Sequence, residues 1–407
     1  MKGTTAALAA ILALGGVSLA VTAAPAQAQR SLNLSRDERN ALAVLQTAAV
    51  GQDRAAQDAA LTAARAAARG ADAVYGVAHL QFEIGRARGD FSMQTQAIDA
   101  MVQSGVAPAA ELPALLAHQA SRAFSAGDFE RTDRLLSRAL EARPNDPVFL
   151  ADYGQLKARR GDRAQAVTYL LRAIAAQEAS GRAAPETWHL RAVALASDGH
   201  IGPQGIAAAR GLVAAYPTPL NWRDALITYR ELTPPDPALD LDVRRLMRAA
   251  TAFAGERDYI EFAEALNRAS LFGEAKSVLD EGISRGMLEA AKPVVAQPLA
   301  AANRGQAAGR AALPRLRTQA QAAATGAPAR AAADAYLSYG QYAEAAELYR
   351  LALQKGGEDA NLVNLRLGAS LALAGRRPEA EAALRATTGP RGDLAGFWLA
   401  WLARRPV

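Results

Sequence analysis

The chain repeats itself with a period near 34 residues, and that period constrains its fold more than any other feature. From Gly127, "GDFERTDRLLSRALEARP" sets Phe129, Leu136 and Ala139 at helical spacing and closes on Pro144. From Gly161, "GDRAQAVTYLLRAI" puts Arg163, Leu170 and Ala173 at the equivalent points. A second pair of copies begins at Gly340, with Tyr342, Ala345, Tyr349 and Ala352, and at Gly375, with Arg377, Ala380, Leu384 and Thr387. Apolar residues three and four apart describe one face of an amphipathic helix. One helix has no use for copies of itself. Stacked helical units do, because no unit buries its apolar face alone.

Composition fits that reading. The chain of 407 residues is 51% hydrophobic yet only 6% aromatic, so alanine supplies much of the apolar surface. Alanine favours helix and lets helices approach closely. No sustained period-2 alternation argues for strands. The fold expected is all-α.

Each clear copy also has a helix before it. Leu150, Tyr153 and Gly154 precede Gly161, and Leu367-Gly368 precede Gly375. Two helices per unit, the 34-residue period and this ladder resemble the tetratricopeptide repeat. Residues 147–180 match best, with 113–146 and 326–394, while 75–108 and 256–289 are weaker and 37–74, 186–219 and 220–255 are eroded. The resemblance implies a right-handed superhelical solenoid of antiparallel helix pairs. Glycine after the first helix accepts a left-handed stop. Ala139, Ala166, Ala173 and Ala345 belong where the two helices of a pair touch.

The expected organisation has five parts: a leader over 1–28, a helical array over 29–290, a degenerate helix pair or hinge over 291–331, repeat units over 332–394, and a capping helix over 395–407. Lys2, an apolar run to Val21 and Ala26-Gln27-Ala28 describe a secretory signal peptide cleaved after Ala28, which places the mature chain in the periplasm or outside the cell. Pro314 argues against a repeat in 291–331, where a helix is expected from Arg315 to Ala324. The stripe Leu394, Phe397, Trp398, Trp401 and Leu402 suits a cap over the last unit, and alternatively a membrane-surface helix.

Without cysteine, disulfides, thiolate metal sites and cysteine nucleophiles are excluded. The formal charge of +6 is slight for this length; arginine-rich faces keep an alanine-rich protein in solution and also suit anionic partners. No basic cluster interleaved with aromatics points to nucleic acid. The histidines are His79, His118, His189 and His200, with no two spaced to share a metal on one helix face. No phosphate-cradling loop, H-E-x-x-H or G-x-S-x-G occurs. Asp236, Asp240 and Asp242 suit helix capping better than acid–base work. No enzyme and no cofactor are therefore expected.

Binding is the function left. The resemblance implies a concave groove lined by the first helix of each pair, which takes up a protein or peptide partner. The groove positions are His118, Ser121, Phe124, Gln155 and Arg159, then Arg330, Asp334 and Arg366 towards the C-terminus. The family's chaperone-binding members hold a C-terminal carboxylate with Lys and Asn. Here those positions carry Ala117 and Ser121 in one unit and Arg330 and Asp334 in another, so that clamp is absent. A periplasmic adaptor is the first reading. A structural scaffold of an envelope export or exopolysaccharide secretion assembly is the second. The helical part of a cell-wall enzyme lacking its catalytic domain is a minor third.

Overall fold

The structure, a computed structural model, describes residues 32–404, and the expected leader lies outside them. The described residues form twenty helices and no strand. They fall into two compact units divided between Gln119 and Ala120, far from the 291–331 segment where a degenerate helix pair or a hinge was expected.

In the first unit, α1 (Arg36–Val50) pairs with α2 (Arg54–Ala67), and α3 (Ala71–Arg88) pairs with α4 (Phe91–Gln103). Leu45, Leu61, Ala64, Val77 and Ile84 form the core of this region. Ser35 and Glu38 close a reciprocal capping box at the start of α1. The Glu38 carboxylate also accepts the backbone N–H groups of Arg69 and Gly70, at 2.8 Å each, which ties α1 to the turn after α2. These N–H donors hold its pKa down at about 2.

The helix α5 (Leu112–Ser125) crosses the division. Beyond it the second unit runs through α6 (Phe129–Ala142), α7 (Pro147–Arg159), α8 (Arg163–Ala179), α9 (Glu186–Asp198), α10 (Gly202–Ala215), α11 (Pro219–Leu232) and α12 (Pro237–Ala249). It continues through α13 (Glu256–Arg268), α14 (Phe272–Ser284), α15 (Pro293–Ala322), α16 (Ala327–Ser338), α17 (Tyr342–Lys355), α18 (Ala360–Leu373), α19 (Arg377–Arg385) and α20 (Gly389–Ala403).

The α7–α8 hairpin shows why the repeat residues fold this way. Gly161 ends α7 at φ +83°, a left-handed value that costs glycine little. Asp162 then caps α8 by accepting the N–H of Gln165. A Cβ on Gly154 would stand 3.2 Å from the Ala166 carbonyl oxygen and from Leu170, so glycine lets the pair close. Gly368 plays the same part against Leu384 in the α18–α19 hairpin. Ala166 and Ala173 are fully buried, as expected of residues at the contact between paired helices.

Two segments depart from the expected pattern. The 291–331 segment is neither a degenerate pair nor a hinge: α15 is one helix of 30 residues that passes through Pro298 and Pro314. Tertiary packing outweighs the lost backbone hydrogen bonds here. Val295, Pro298, Ala302, Leu313 and Ala320 are buried, and Pro314 faces solvent. Gly305 and Gly309 leave room for the rings of Phe272 and Tyr339, which a Cβ would strike. The Tyr339 hydroxyl donates to the Gln306 carbonyl oxygen at 2.9 Å.

The second departure is α12, the second helix of the eroded pair expected over 220–255. Asp242, Val243, Arg244, Arg245, Leu246 and Met247 are buried in an unbroken run. Such a run covers every side of the helix, so α12 is an inner element rather than half of an outer hairpin. The C-terminal α20 reaches it as well. The Trp401 indole donates to the Ala249 carbonyl oxygen at 3.1 Å, and Arg391 pairs with Asp236 at 2.7 Å. The Tyr229 hydroxyl of α11 donates to the Pro390 carbonyl oxygen at 2.6 Å.

Thus α20 does more than cap the last pair. It packs on α18 and α19, as a cap would, and also on α10 and α12. It begins at Gly389, earlier than the expected 395. Phe397 and Trp398 are wholly buried. In this conformation the stripe is unavailable to a membrane surface, and no helix among the described residues is long and apolar enough to cross a membrane.

Candidate functional site

The structure separates the expected groove residues into two groups with different chemistry. Arg330, Asp334 and Arg366 do come together, but not as an open binding face. Arg366 is only 6% exposed. Its Nε donates to both carboxylate oxygens of Asp242 at 3.1 Å, and its Nη1 donates to both oxygens of Asp334 at 2.9 and 3.0 Å. Asp334 also accepts from Arg330 at 3.0 Å and from the Tyr349 hydroxyl at 2.6 Å. Arg330 is further paired with Glu358.

The network continues inward through α12. Asp242 accepts from Arg245 at 2.7 Å, and Arg245 holds Glu274 of α14 with a bidentate fork. Burial alone would lower the pKa of Arg366 and Arg245, but the carboxylates around them raise both. Arg366, expected to line an open groove, is therefore buried instead. It does point inward from its hairpin, but inner helix α12 fills the space it points into.

The N-terminal group behaves differently. His118, Ser121 and Phe124 are half-buried on α5. Phe124 packs its ring on Phe129 with centroids 5.7 Å apart. Gln155 is half-buried and Arg159 is exposed, both on α7. Arg159 forms no ion pair among the described residues. The adjacent Arg160, by contrast, pairs with Glu130 at 2.9 Å, and Lys157 pairs with Asp133 at 3.0 Å.

Sequence reasoning passed over two residues on this face. Asp152 lies three residues before Gln155, half-buried, with its carboxyl pushed up to about 7 chiefly by burial and then by the charge of Asp146. Arg191 on α9 is half-buried, and its pKa is lowered by burial and then by the nearby charge of Arg159. Asp152 was legible as the residue one turn before Gln155 on the same stripe. Arg191 was not, because the eroded 186–219 unit gave no register to place it.

Asp236, expected as a cap, does cap α12 by accepting the N–H groups of Ala238 and Leu239. Asp240 instead pairs with Arg230 and Arg244, and Asp242 belongs to the buried network. Among the described residues no three His, Asp or Glu side chains are placed to hold a metal ion. In the first unit, a shallow open groove of about 470 Å³ lies along Gln46, Ala49, Val50, Leu80, Glu83, Arg86 and Ala87. Its charged residues, Glu83 and Arg86, pair with each other at 2.6 Å.

No family model matches the chain, and no curated protein matches it either. Among solved structures, a tetratricopeptide repeat protein from Parabacteroides merdae is 13% identical, with 64% of this chain and 99% of that chain covered and a TM-score of 0.26. The TPR domain of P58(IPK) is 15% identical, with 84% and 99% covered and a TM-score of 0.25. The structure of Naa15/Naa10 bound to HypK-THB is 16% identical, with 87% and 65% covered and a TM-score of 0.28. The hairpins built on Gly154 and Gly368, closed through alanine and turned by left-handed glycines, make this chain an all-α array of antiparallel helix pairs similar to tetratricopeptide-repeat proteins.

Proposed function

We propose that the protein is a binding scaffold that takes up a protein partner on the face formed by α7 and α9. The observation that carries this reading is the pair Arg159 and Arg191. Burial and then the charge of Arg159 lower the pKa of Arg191, and neither arginine is paired with an acid among the described residues. Like charges set together in a partly desolvated place repel, and an acidic ligand relieves them. Arginine suits this task because its planar fork grips a carboxylate with two hydrogen bonds. Export to the periplasm belongs to the same reading and rests on the leader-like residues 1–28. A fixed place in an envelope export or secretion assembly is the narrower form of it.

The test is affinity isolation from the periplasm with three baits: wild type, Arg159→Glu and Arg163→Glu. Arg163 is exposed at the start of α8 and serves as the control. The expected outcome is a partner retained by wild type and Arg163→Glu and lost by Arg159→Glu. Equal losses for both variants would mean diffuse electrostatics and would overturn the reading.

A further inference from the structure

The long helix α15 and its flanks are set apart by charge. From Ala290 to Ala333 the chain carries six Lys and Arg and no acid, and these six equal its whole formal excess of +6. Three of them have partners elsewhere in the chain. Lys292 pairs with Glu256 at 3.3 Å, Arg317 with Glu347 at 2.6 Å, and Arg330 with Asp334 and Glu358. Arg304, Arg310 and Arg315 are exposed and form no hydrogen bond or ion pair among the described residues.

Helix geometry gathers two of these on one side. Arg304 and Arg315 are eleven residues apart, close to three full turns, so they share a side of α15 about 16 Å apart. Ala308 and Ala311 lie between them on that side, and both are exposed. The buried residues Val295, Pro298, Ala302, Leu313 and Ala320 fall on the opposite side. There α15 packs on α13, α14 and α16. The outer side therefore has no partner within the described chain, and it carries cations bracketing small apolar side chains.

We infer that this outer side of α15 docks an acidic α-helix of a partner protein. Charge selects the partner: the segment offers no acid of its own, so the counter-charges for Arg304 and Arg315 come from the other molecule. Each arginine fork can hold one carboxylate with two hydrogen bonds. Shape selects a helix. Alanine at 308 and 311 leaves no bulk between the arginines, so a second helix can lie at an interaxial distance of about 8 Å. Its acids match when they too stand eleven residues apart, with small residues four and seven positions after the first. Those four positions share one side of a helix, and the pattern reads alike in either direction.

A bilayer is the competing anionic surface. Helices that lie in a membrane interface insert large apolar or aromatic side chains between their cations. Between Arg304 and Arg315 the exposed side chains are alanine, arginine and proline, which have nothing comparable to insert. This surface is separate from the α7–α9 face and does not rest on that reading.

The probes are labelled, end-blocked peptides of about 20 residues, rich in alanine and glutamine and long enough to be helical by themselves. The matched peptide sets two glutamates eleven residues apart. The control has the same composition with its glutamates nine residues apart, on opposite sides of its helix. With the full mature chain, fluorescence anisotropy is expected to show the matched peptide binding about fivefold or more tightly than the control, the scale of two exposed ion pairs. Arg304→Glu and Arg315→Glu, made together, are expected to abolish that preference and to favour a peptide with lysine at both glutamate positions, with circular dichroism unchanged. Arg131→Glu and Arg134→Glu, made together on the exposed side of α6, change the net charge equally and are expected to leave the matched peptide's affinity unchanged.

Equal affinity for the matched and control peptides would overturn the inference. So would an equal loss in the α6 variant, or absence of binding by the wild type up to about 10 mM. Binding of phosphatidylglycerol vesicles that is lost in the α15 variant, without a preference between the peptides, would also overturn it and assign the surface to lipid.

Discussion

The same hairpin serves two ends in the second unit, and α7–α9 and α12–α20 show the contrast. In both regions the first helix of a pair turns polar residues to the inner side. Around α18, inner helix α12 and the C-terminal α20 already occupy that side, and every expected groove residue there is held by the chain's own charges. Around α7, Asp152, Gln155 and Arg159 are left to solvent or to a ligand. What separates a closed interior from an open face is therefore not the repeat motif. It is whether another segment of the same chain supplies the counter-charges.

The sharpest way to break this comparison is to remove Arg366. If it belongs to a buried network, Arg366→Ala strands Asp242 and Asp334 with too few cations, and stability falls by about 3–5 kcal/mol. Chemical denaturation of the variant measures this. A loss within the range of an exposed substitution would return Arg366 to the open groove.

A smaller loss tests the hairpin contact itself. Ala173 is fully buried in α8. Ala173→Leu overpacks the site and is expected to cost about 1–3 kcal/mol, seen as a lower melting temperature. An unchanged melting temperature would mean that the alanine faces open space.

Those two positions also show how far the sequence was legible. Ala173, Gly154 and the Gly161-Asp162 turn were readable because the forces on them act within one hairpin: close approach, left-handed backbone and a cap. Arg366 was readable in direction but not in partner, since Asp242 lies 124 residues away in the chain. No local periodicity reports what fills an inner face. The long α15 was hidden for a related reason. Proline argues for a break by local rules, whereas the packing of Phe272 and Tyr339 at Gly305 and Gly309, like the burial of Val295 and Leu313, comes from neighbours that no local rule reports. Among the candidate site residues, Gln155 and Arg159 of α7 were named, whereas Asp152 of the same helix and Arg191 of α9 were not.

The smallest expected effect has the opposite sign. Asp152 has a pKa of about 7 in the folded chain against an ordinary 3.8. Between those values the folded state binds more protons than the unfolded state, so this group's contribution to stability falls as pH rises from about 4 to 7. Asp152→Asn is expected to remove that fall and to stabilise the protein by about 1–2 kcal/mol at pH 8, since the half-buried carboxyl keeps some contact with water. Melting curves of both proteins at pH 5 and pH 8 check it. A variant no more stable at pH 8 would show that Asp152 is already satisfied within the chain.

The central claim is that the inner side is open at α7 and closed at α18. The chain has no cysteine, so single cysteines report on it without interference. Gln155→Cys places a thiol on the α7 stripe, and Ser370→Cys places one on α18, where Ser370 is wholly buried one turn after Arg366. Reaction with a thiol reagent under native conditions should be fast for Gln155→Cys. It should be about a hundredfold or more slower for Ser370→Cys, which must wait for local opening. Comparable rates at the two positions would contradict the account, because α12 and α20 would then not seal the inner side of the C-terminal hairpins.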